Sequence, residues 1–300
     1  MIIAVTGGTG FVGGHVLDQA LATGHQVRAL TRRPQPERGG VTWIAGALDD
    51  AASLAMLVAG ADAVLHIAGV INAPDRAGFA AGNIEGTRAV IAAAHGAGVR
   101  RFVQVSSIAA REPGLSDYGW SKAEADQLLM ASCLDWTIVR PPAIFGPRDH
   151  EMLELFRLAK RRAIPLPPAG GRASLIAVGD LARLLVALPA SNALTPQIVE
   201  PDDGTPDGWD HRDLARAIGA AMGKRVLPLP LSRALLAAAS RVERGLRRGK
   251  AKLTADRVRY FCHPDWVSHA PVPPDIWQPS SDTPAALAAT AQWYRANGLL

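Results

Sequence analysis

Thr6-Gly7-Gly8-Thr9-Gly10-Phe11-Val12-Gly13 follows directly on the apolar run Ile2-Ile3-Ala4-Val5 and leads into residues 11–23, where apolar side chains recur at helical spacing. Strand, glycine-rich turn and helix in that order read as a dinucleotide-binding turn. Gly7 permits the tight reversal, Gly10 admits a pyrophosphate to the backbone, and Gly13 lets helix and strand pack closely, with the helix N-terminus aimed at the phosphates. Three glycines alone carry little information; the flanking strand and helix give them meaning.

Working outward, short apolar runs alternate with longer helical patterns. Residues 2–5, 26–30, 41–45, 63–67, 101–106 and 136–139 read as strands. Such alternation implies right-handed crossovers and a parallel sheet covered on both faces, with ligands bound beyond the carboxyl ends of the strands near the switch point. Gly7 to Gly10, Ala68-Gly69, Ser107 and Pro141 all stand at such ends.

A second constellation, Tyr118-Gly119-Trp120-Ser121-Lys122, opens a helical pattern that runs to about Ser132. Residues four apart share a helix face. An ammonium beside a phenol favours phenolate, which predicts a Tyr118 pKa below the usual value of about 10 and a group able to exchange protons.

Together these stretches resemble the extended short-chain dehydrogenase/reductases of the NAD(P)-dependent epimerase/dehydratase type. The resemblance rests on TGGTGFVG, Ser106-Ser107 at a strand end, the YxxxK pair and Arg140-Pro141-Pro142-Ala143-Ile144-Phe145-Gly146-Pro147. It continues through Val64 to Gly69, Asn83-Ile84-Glu85-Gly86-Thr87, Ile176 to Ala182 and the closing Trp293 to Leu300. It implies a Rossmann-type, doubly wound α/β sheet with a smaller, mostly helical C-terminal substrate lobe. Tyr118 would then be the general acid or base, Lys122 its partner and a cofactor contact, and Ser107, the second serine, the residue that holds the substrate oxygen. Cofactor contacts would come from Gly7, Thr9, Gly10, Phe11, Val12, Gly13, Arg32, Arg33, Leu48, Asp49, Ala68, Gly69, Asn83, Lys122, Pro141 and Ile144. Asn83 belongs to an Asn-x-x-Gly-Thr pattern that steadies the site's helix or the cofactor loop. The family more often has an acidic residue where Ala47 stands.

Cofactor preference follows from charge. An NAD site commonly places a carboxylate after the second strand, where it binds the ribose hydroxyls and repels a 2′-phosphate. That place holds Thr31, followed by Arg32 and Arg33 with Arg38 nearby. Guanidinium forks match phosphate oxygens, so the sequence favours NADP over NAD.

Composition narrows the class. The 300 residues are 48% hydrophobic, enough for a large core, and carry a formal charge of +5. No basic stripe interleaved with aromatics appears in the first two hundred residues, which argues against nucleic acid. Cys133 and Cys262 predict no disulfide framework and suit a reducing cytoplasm. A core strand starting at Ile2 leaves no room for a leader, and no stretch suffices to span a bilayer, so a soluble cytoplasmic protein is expected. His66, between apolar residues, reads as a packed core group; His150 and His263 have no partners at metal spacing, so no metal site is expected.

Beyond residue 148 prolines cluster, at Pro165 to Pro168, Pro228 to Pro230 and Pro271 to Pro274. The expected division is a Rossmann domain over 1–148, with 174–200 returning to the sheet, and a substrate lobe over 149–173 and 201–300. Within 229–252, Leu231, Leu235, Ala238, Val242 and Leu246 keep helical spacing, while Arg241, Arg244, Arg247, Arg248, Lys250 and Lys252 crowd the end. Two readings stand: a helix packed on the lobe with solvated arginines, or a pocket lid that makes a weak contact with anionic membrane surfaces.

The partner expected is a small, apolar carbonyl or alcohol, because Arg140-Pro141-Pro142 resembles the relatives that act on flavanone- and hydroxysteroid-type substrates. A nucleotide-sugar epimerase/dehydratase is the alternative among enzymes, and a non-catalytic NADP(H)-binding accessory or redox-sensing protein the alternative outside them. A homodimer also stays open.

Overall fold

The computed structural model describes residues 1–247 and 255–300; of 242–247 and 255 only the backbone is described. The β-branched runs form β1 (Ile2–Thr6), β2 (Gln26–Thr31), β3 (Val41–Ala45), β4 (Ala63–His66), β5 (Arg101–Val105) and β6 (Asp135–Val139). Four short strands follow, β7 (Ala143–Phe145), β8 (Ala163–Leu166), β9 (Arg172–Ala173) and β10 (Leu175–Ala177), and then β11 (Gln197–Val199). The main sheet has the order β11-β6-β5-β4-β1-β2-β3, with every pairing parallel. The order reverses between β1 and β4, the crevice in which doubly wound sheets bind ligands. Every residue of β4 and β5 is buried, as a sheet covered on both faces requires.

Helices α1 (Phe11–Ala22), α2 (Ala51–Val58), α3 (Arg76–Phe79), α4 (Gly86–Gly96) and α5 (Asp117–Met130) connect these strands. A π-helical turn, Ala80–Glu85, joins α3 to α4. Asp50 caps α2 by accepting from Ala52 N and Ser53 N, and Ser116 caps α5 through Gly119 N at 3.0 Å.

The chain packs as two compact units. The first comprises Met1–Pro141, Gly179–Pro201 and Ala270–Trp277; the second comprises Pro142–Val178, Asp202–His269 and Gln278–Leu300. The break therefore falls at Pro141, not 148: β7 pairs with β10, and Phe145 joins the second core. Residues 270–277, expected in the lobe, lie with the first unit, where Glu200 N donates to Ala270 O at 2.6 Å.

The second unit holds α6 (Leu153–Lys160), β12 (Trp209–Asp210), α8 (His211–Ala221), β13 (Leu227–Pro230), α9 (Arg233–Arg247), α10 (Ala255–Phe261), β14 (Asp265–Trp266) and α11 (Thr283–Ala296), with α7 (Val178–Ala187) starting at its edge. Its core gathers Phe145, Phe156, Leu175, Ile218, Leu287 and Tyr294. The Phe156 and Tyr294 rings meet edge to face at 5.2 Å.

Candidate functional site

The glycine turn is closed by Gly10 N donating to Gly7 O at 3.0 Å. Gly7 has φ +76°, and a side-chain carbon there would lie 2.6 Å from Ala68 N. A carbon on Gly13 would collide with Gly7 O and lie 2.7 Å from Gly8 Cα. Gly10 is the N-cap of α1 and offers no side-chain acceptor, so the first N–H groups of the helix keep no capping partner from it. Thr9 and Gly10 are exposed, Phe11 and Val12 half-buried. The turn thus presents backbone donors and a helix N-terminus at the sheet's switch point, the arrangement that holds a pyrophosphate. These residues fit a dinucleotide.

Thr31 is buried and pins the turn after β2: its hydroxyl donates to Arg33 O at 2.6 Å. Arg32 and Arg33 are exposed, and among the described residues neither side chain has an ion-pair partner within the first unit. Arg38, expected beside them, is instead paired with Asp18 at 2.6 Å. Asp49 is exposed at the end of β3's loop, and Leu48 packs toward α4, where a carbon on Gly86 would sit 2.7 Å from its Cδ1.

Behind the turn, Thr6 Oγ1 accepts from Ala68 N at 3.2 Å and meets His66 Nδ1 at 2.6 Å; His66 Nε2 meets Thr87 Oγ1 at 3.0 Å. His66 is 2% exposed, the packed core group that the sequence suggested. Burial, reinforced by the Lys122 charge, lowers its pKa to about 3. The folded state therefore binds fewer protons than the unfolded chain between pH 6.5 and about 3. Stability should fall as pH drops through that window, with a limiting slope of about 1.4 kcal/mol per unit. Chemical denaturation at pH 7, 6 and 5 checks this: His66→Gln should flatten the acid limb, and an unchanged slope would remove His66 as its source.

The Ser107 hydroxyl accepts from Ala109 N at 3.2 Å and stands near enough to the Tyr118 phenol to favour its ionised form. Ser106, the neighbouring candidate, donates to Asp126 Oδ2 at 2.9 Å. Lys122 is buried and donates from Nζ to Val105 O at 2.8 Å; a carbon on Gly69 would lie 3.5 Å from that nitrogen. Desolvation brings the Lys122 pKa down to about 8, opposed by Asp126. Tyr118 departs from the expectation of a lowered pKa. Burial shifts it up, partly offset by Ser107, and the Asp126 carboxylate adds to the rise. The Lys122 ammonium is turned to a backbone carbonyl, so desolvation of the phenolate wins.

Asn83 is buried in the π-helical turn. Its Oδ1 accepts from Val70 N at 2.7 Å, and its Nδ2 donates to Val70 O and to Ser121 Oγ, at 3.0 and 2.8 Å. It ties the Gly69-Val70 loop to the helix bearing Tyr118 and Lys122. Pro141 is buried, its carbonyl accepting from Ile108 N at 3.1 Å. Ile144 lies on β7 in the second unit.

Sequence reasoning missed Asp126. It is fully buried, four residues beyond Lys122, and accepts from Gln104 Nε2 at 2.7 Å, Ser106 Oγ at 2.9 Å and Arg140 Nε at 2.9 Å. The helical spacing Tyr118, Lys122, Asp126 was the available signal; the partners on β5 and after β6 were not.

A family described as NAD(P)H-binding matches residues 7–187. Ceramide reductase of Caulobacter vibrioides is 36% identical over the whole chain and 96% of its own length. The chain belongs to the extended short-chain dehydrogenase/reductase family. As a member it is an NAD(P)-dependent enzyme of the oxidoreductase/epimerase type. The 2-alkyl-3-oxoalkanoate reductase of Stenotrophomonas maltophilia is 30% identical over 92% of this chain and 94% of that one. Among solved structures, the Bordetella bronchiseptica enzyme WbmH in complex with NAD+ superposes with a TM-score of 0.76, covering 99% of each chain at 21% identity, a likeness of fold. Among the described residues no helix is long and apolar enough to cross a membrane, and no group of three or more His, Cys, Asp or Glu side chains is placed to hold a metal ion.

Proposed function

We propose that this family member reduces the ketone of a long-chain, lipid-like 3-oxo substrate with NADPH, through Ser107, Tyr118 and Lys122. The observation that carries the reading is a buried Lys122 one helical turn beyond Tyr118, with Ser107 near the phenol, in a chain that matches a ceramide reductase over its whole length. The second full-length relative is likewise named for reducing a 3-oxo lipid-like acid.

NADPH, held by the glycine turn and the residues after β2, supplies the hydride when bound. The chain's own part is to place and protonate the carbonyl oxygen. Ser107 donates a hydrogen bond that positions it, and Tyr118 delivers the proton from its phenol. A phenol whose pKa is raised is protonated at neutral pH, which favours the reductive direction over alcohol deprotonation. Lys122, still charged below about pH 8, keeps a cation on the helix that bears Tyr118, its Nζ held by Val105 O. Asp126 holds Gln104, Ser106 and Arg140 together behind the helix that bears Tyr118 and Lys122.

The test is a panel of ketones followed by NADPH absorbance: 3-oxo acyl amides and 3-oxo acids of increasing chain length, and UDP- and dTDP-sugars. Turnover rising with chain length is expected. Turnover confined to nucleotide sugars would replace the substrate class, and tight NADPH binding with no turnover on any of them would favour a non-catalytic binder.

Cofactor choice has its own check. If Arg32 meets the 2′-phosphate, Arg32→Ala should weaken NADPH by about 1 to 3 kcal/mol while leaving NADH nearly unchanged. Titrations of both by fluorescence measure it, and equal losses would reject the assignment.

A further inference from the structure

In α9 the apolar face expected to pack on the lobe leaves Leu235 and Ala238 in solvent. Of the basic residues that follow, Arg248, Lys250 and Lys252 lie outside the described residues, as do the side chains of Arg244 and Arg247. The charges near Tyr118 are described, and they are buried. Lys122 and Asp126, one helical turn apart on α5, are 6% and 0% exposed. Three consecutive residues at the end of β5 hold them. Gln104 Nε2 and Ser106 Oγ donate to the two oxygens of Asp126, at 2.7 and 2.9 Å, and between them Val105 O accepts from Lys122 Nζ at 2.8 Å. Side chains two apart on an extended chain leave it on the same face, so Gln104 and Ser106 grip the carboxylate together. The next residue is Ser107. α5 is thereby seated against the strand that leads to Ser107, with Tyr118 one turn ahead of Lys122.

The carboxylate also meets Arg140 Nε at 2.9 Å, from a side chain that is mostly buried. A guanidinium can only donate, so an uncharged carboxyl would leave two buried cations, Arg140 and Lys122, without a counter-charge. Burial raises the Asp126 pKa, and Arg140, Ser106 and Lys122 oppose the rise. The ionised form is the one that this set of donors suits. Other charges on the elements packed against α5 are paired or lie elsewhere. Arg76 pairs with Asp117, Arg88 with Glu85 and Arg111 with Glu200. Arg100, Arg101 and Asp135 stand at the amino ends of β5 and β6, while His95 and Glu124 face solvent. His66, with its pKa near 3, is uncharged at neutral pH.

We propose that Asp126 is a positioning residue for proton delivery by Tyr118: it seats α5 on β5 and supplies the negative charge that balances Lys122 inside the protein. The inference rests on the reading of Ser107, Tyr118 and Lys122 as the reducing site. Its electrostatic consequence has a definite sign. Desolvation brings Lys122 down to about 8, and Asp126 acts against it, favouring the ammonium. At Tyr118, burial and Asp126 both favour the neutral phenol. One carboxylate therefore keeps both protons in place for reduction.

Asp126→Asn separates the charge from the seat. Gln104 Oε1 has no protein partner among the described residues, so the Gln104 amide can turn over and accept from the new NH2 group, while Ser106 and Arg140 go on donating to the oxygen that remains. The full chain with 13C at lysine Cε reports the Lys122 titration by NMR, its signal assigned by Lys122→Met among five lysines. A midpoint near pH 8 is expected in the parent, and one at least about one unit lower in Asp126→Asn. The alkaline limb of ketone reduction should move down with it. Ser106→Ala, which takes one hydrogen bond from the carboxylate and leaves its charge, should lower turnover without moving the midpoint. An unmoved midpoint in Asp126→Asn, with activity lowered alike at every pH, overturns the proposal. If that variant does not fold, the carboxyl carbon of Asp126 in the parent, assigned through its shift in Ser106→Ala, decides: a protonated carboxyl at pH 7 overturns the proposal and an ionised one supports it. The titration needs no substrate. A lowered midpoint in a protein that reduces no ketone would leave the balancing of Lys122 standing and reject the reading of the site alone.

Discussion

Tyr118→Phe is expected to lower turnover at least about 100-fold while leaving the fold and cofactor affinity intact. The substitution removes one oxygen and one proton. Tyr118 packs beside Phe79 at 6.3 Å between ring centroids, a contact that phenylalanine keeps. Ser107, the residue near its hydroxyl, keeps Ala109 N at 3.2 Å as a donor after the change. A loss in kcat with an unchanged NADPH titration and thermal transition assigns the phenol to proton delivery. Activity within a few-fold of the parent enzyme would remove Tyr118 from the chemistry.

Gly13→Ala should be the most damaging single-methyl change in the first unit. The added carbon would run into Gly7 O and lie 2.7 Å from Gly8 Cα, backbone atoms that no rotamer change can move. Overpacking of this kind costs about 1 to 3 kcal/mol, and here relief requires α1 to retreat from the turn. Both NADPH and NADH should then bind at least about tenfold more weakly, since the helix N-terminus no longer faces the phosphate site as before. This separates it from Arg32→Ala, which discriminates between the cofactors. Parental affinity and thermal stability together would show that the turn yields more easily than its geometry implies.

What could be read in advance was local. The six strands from Ile2 to Val139 lie within one residue of their expected positions, because each is a short apolar run closed by polar or glycine residues. Gly7, Gly10 and Gly13 were legible because conformational demands on glycine are written at fixed spacing. Asp126 was not, since what makes it matter is convergence of Gln104 and Ser106 from β5 and its end with Arg140 from beyond β6. The direction of the Tyr118 shift was missed for a related reason. Helical spacing places Lys122 near the phenol, but desolvation, and the turning of Nζ to Val105 O, depend on the packed environment. Asp49 and Asp50 show the limit of motif matching: of two adjacent carboxylates, Asp50 is held as a helix cap and Asp49 is left to solvent.

The three-piece makeup of the first unit bears on how the protein is made. A ribosome delivers the chain from its N-terminus, and all seven strands of the main sheet have been synthesised once Val199 is out. The segment Ala270–Trp277 has not, and the Glu200 amide that it binds is still without its carbonyl. The nascent sheet must wait for the whole of Asp202–His269, basic segment included, before its last piece arrives. Domains that are contiguous in sequence mature as they emerge; this one completes only once Trp277 has been made, so a ribosome stalled between 201 and 270 carries all seven strands without the segment that accepts from the Glu200 amide.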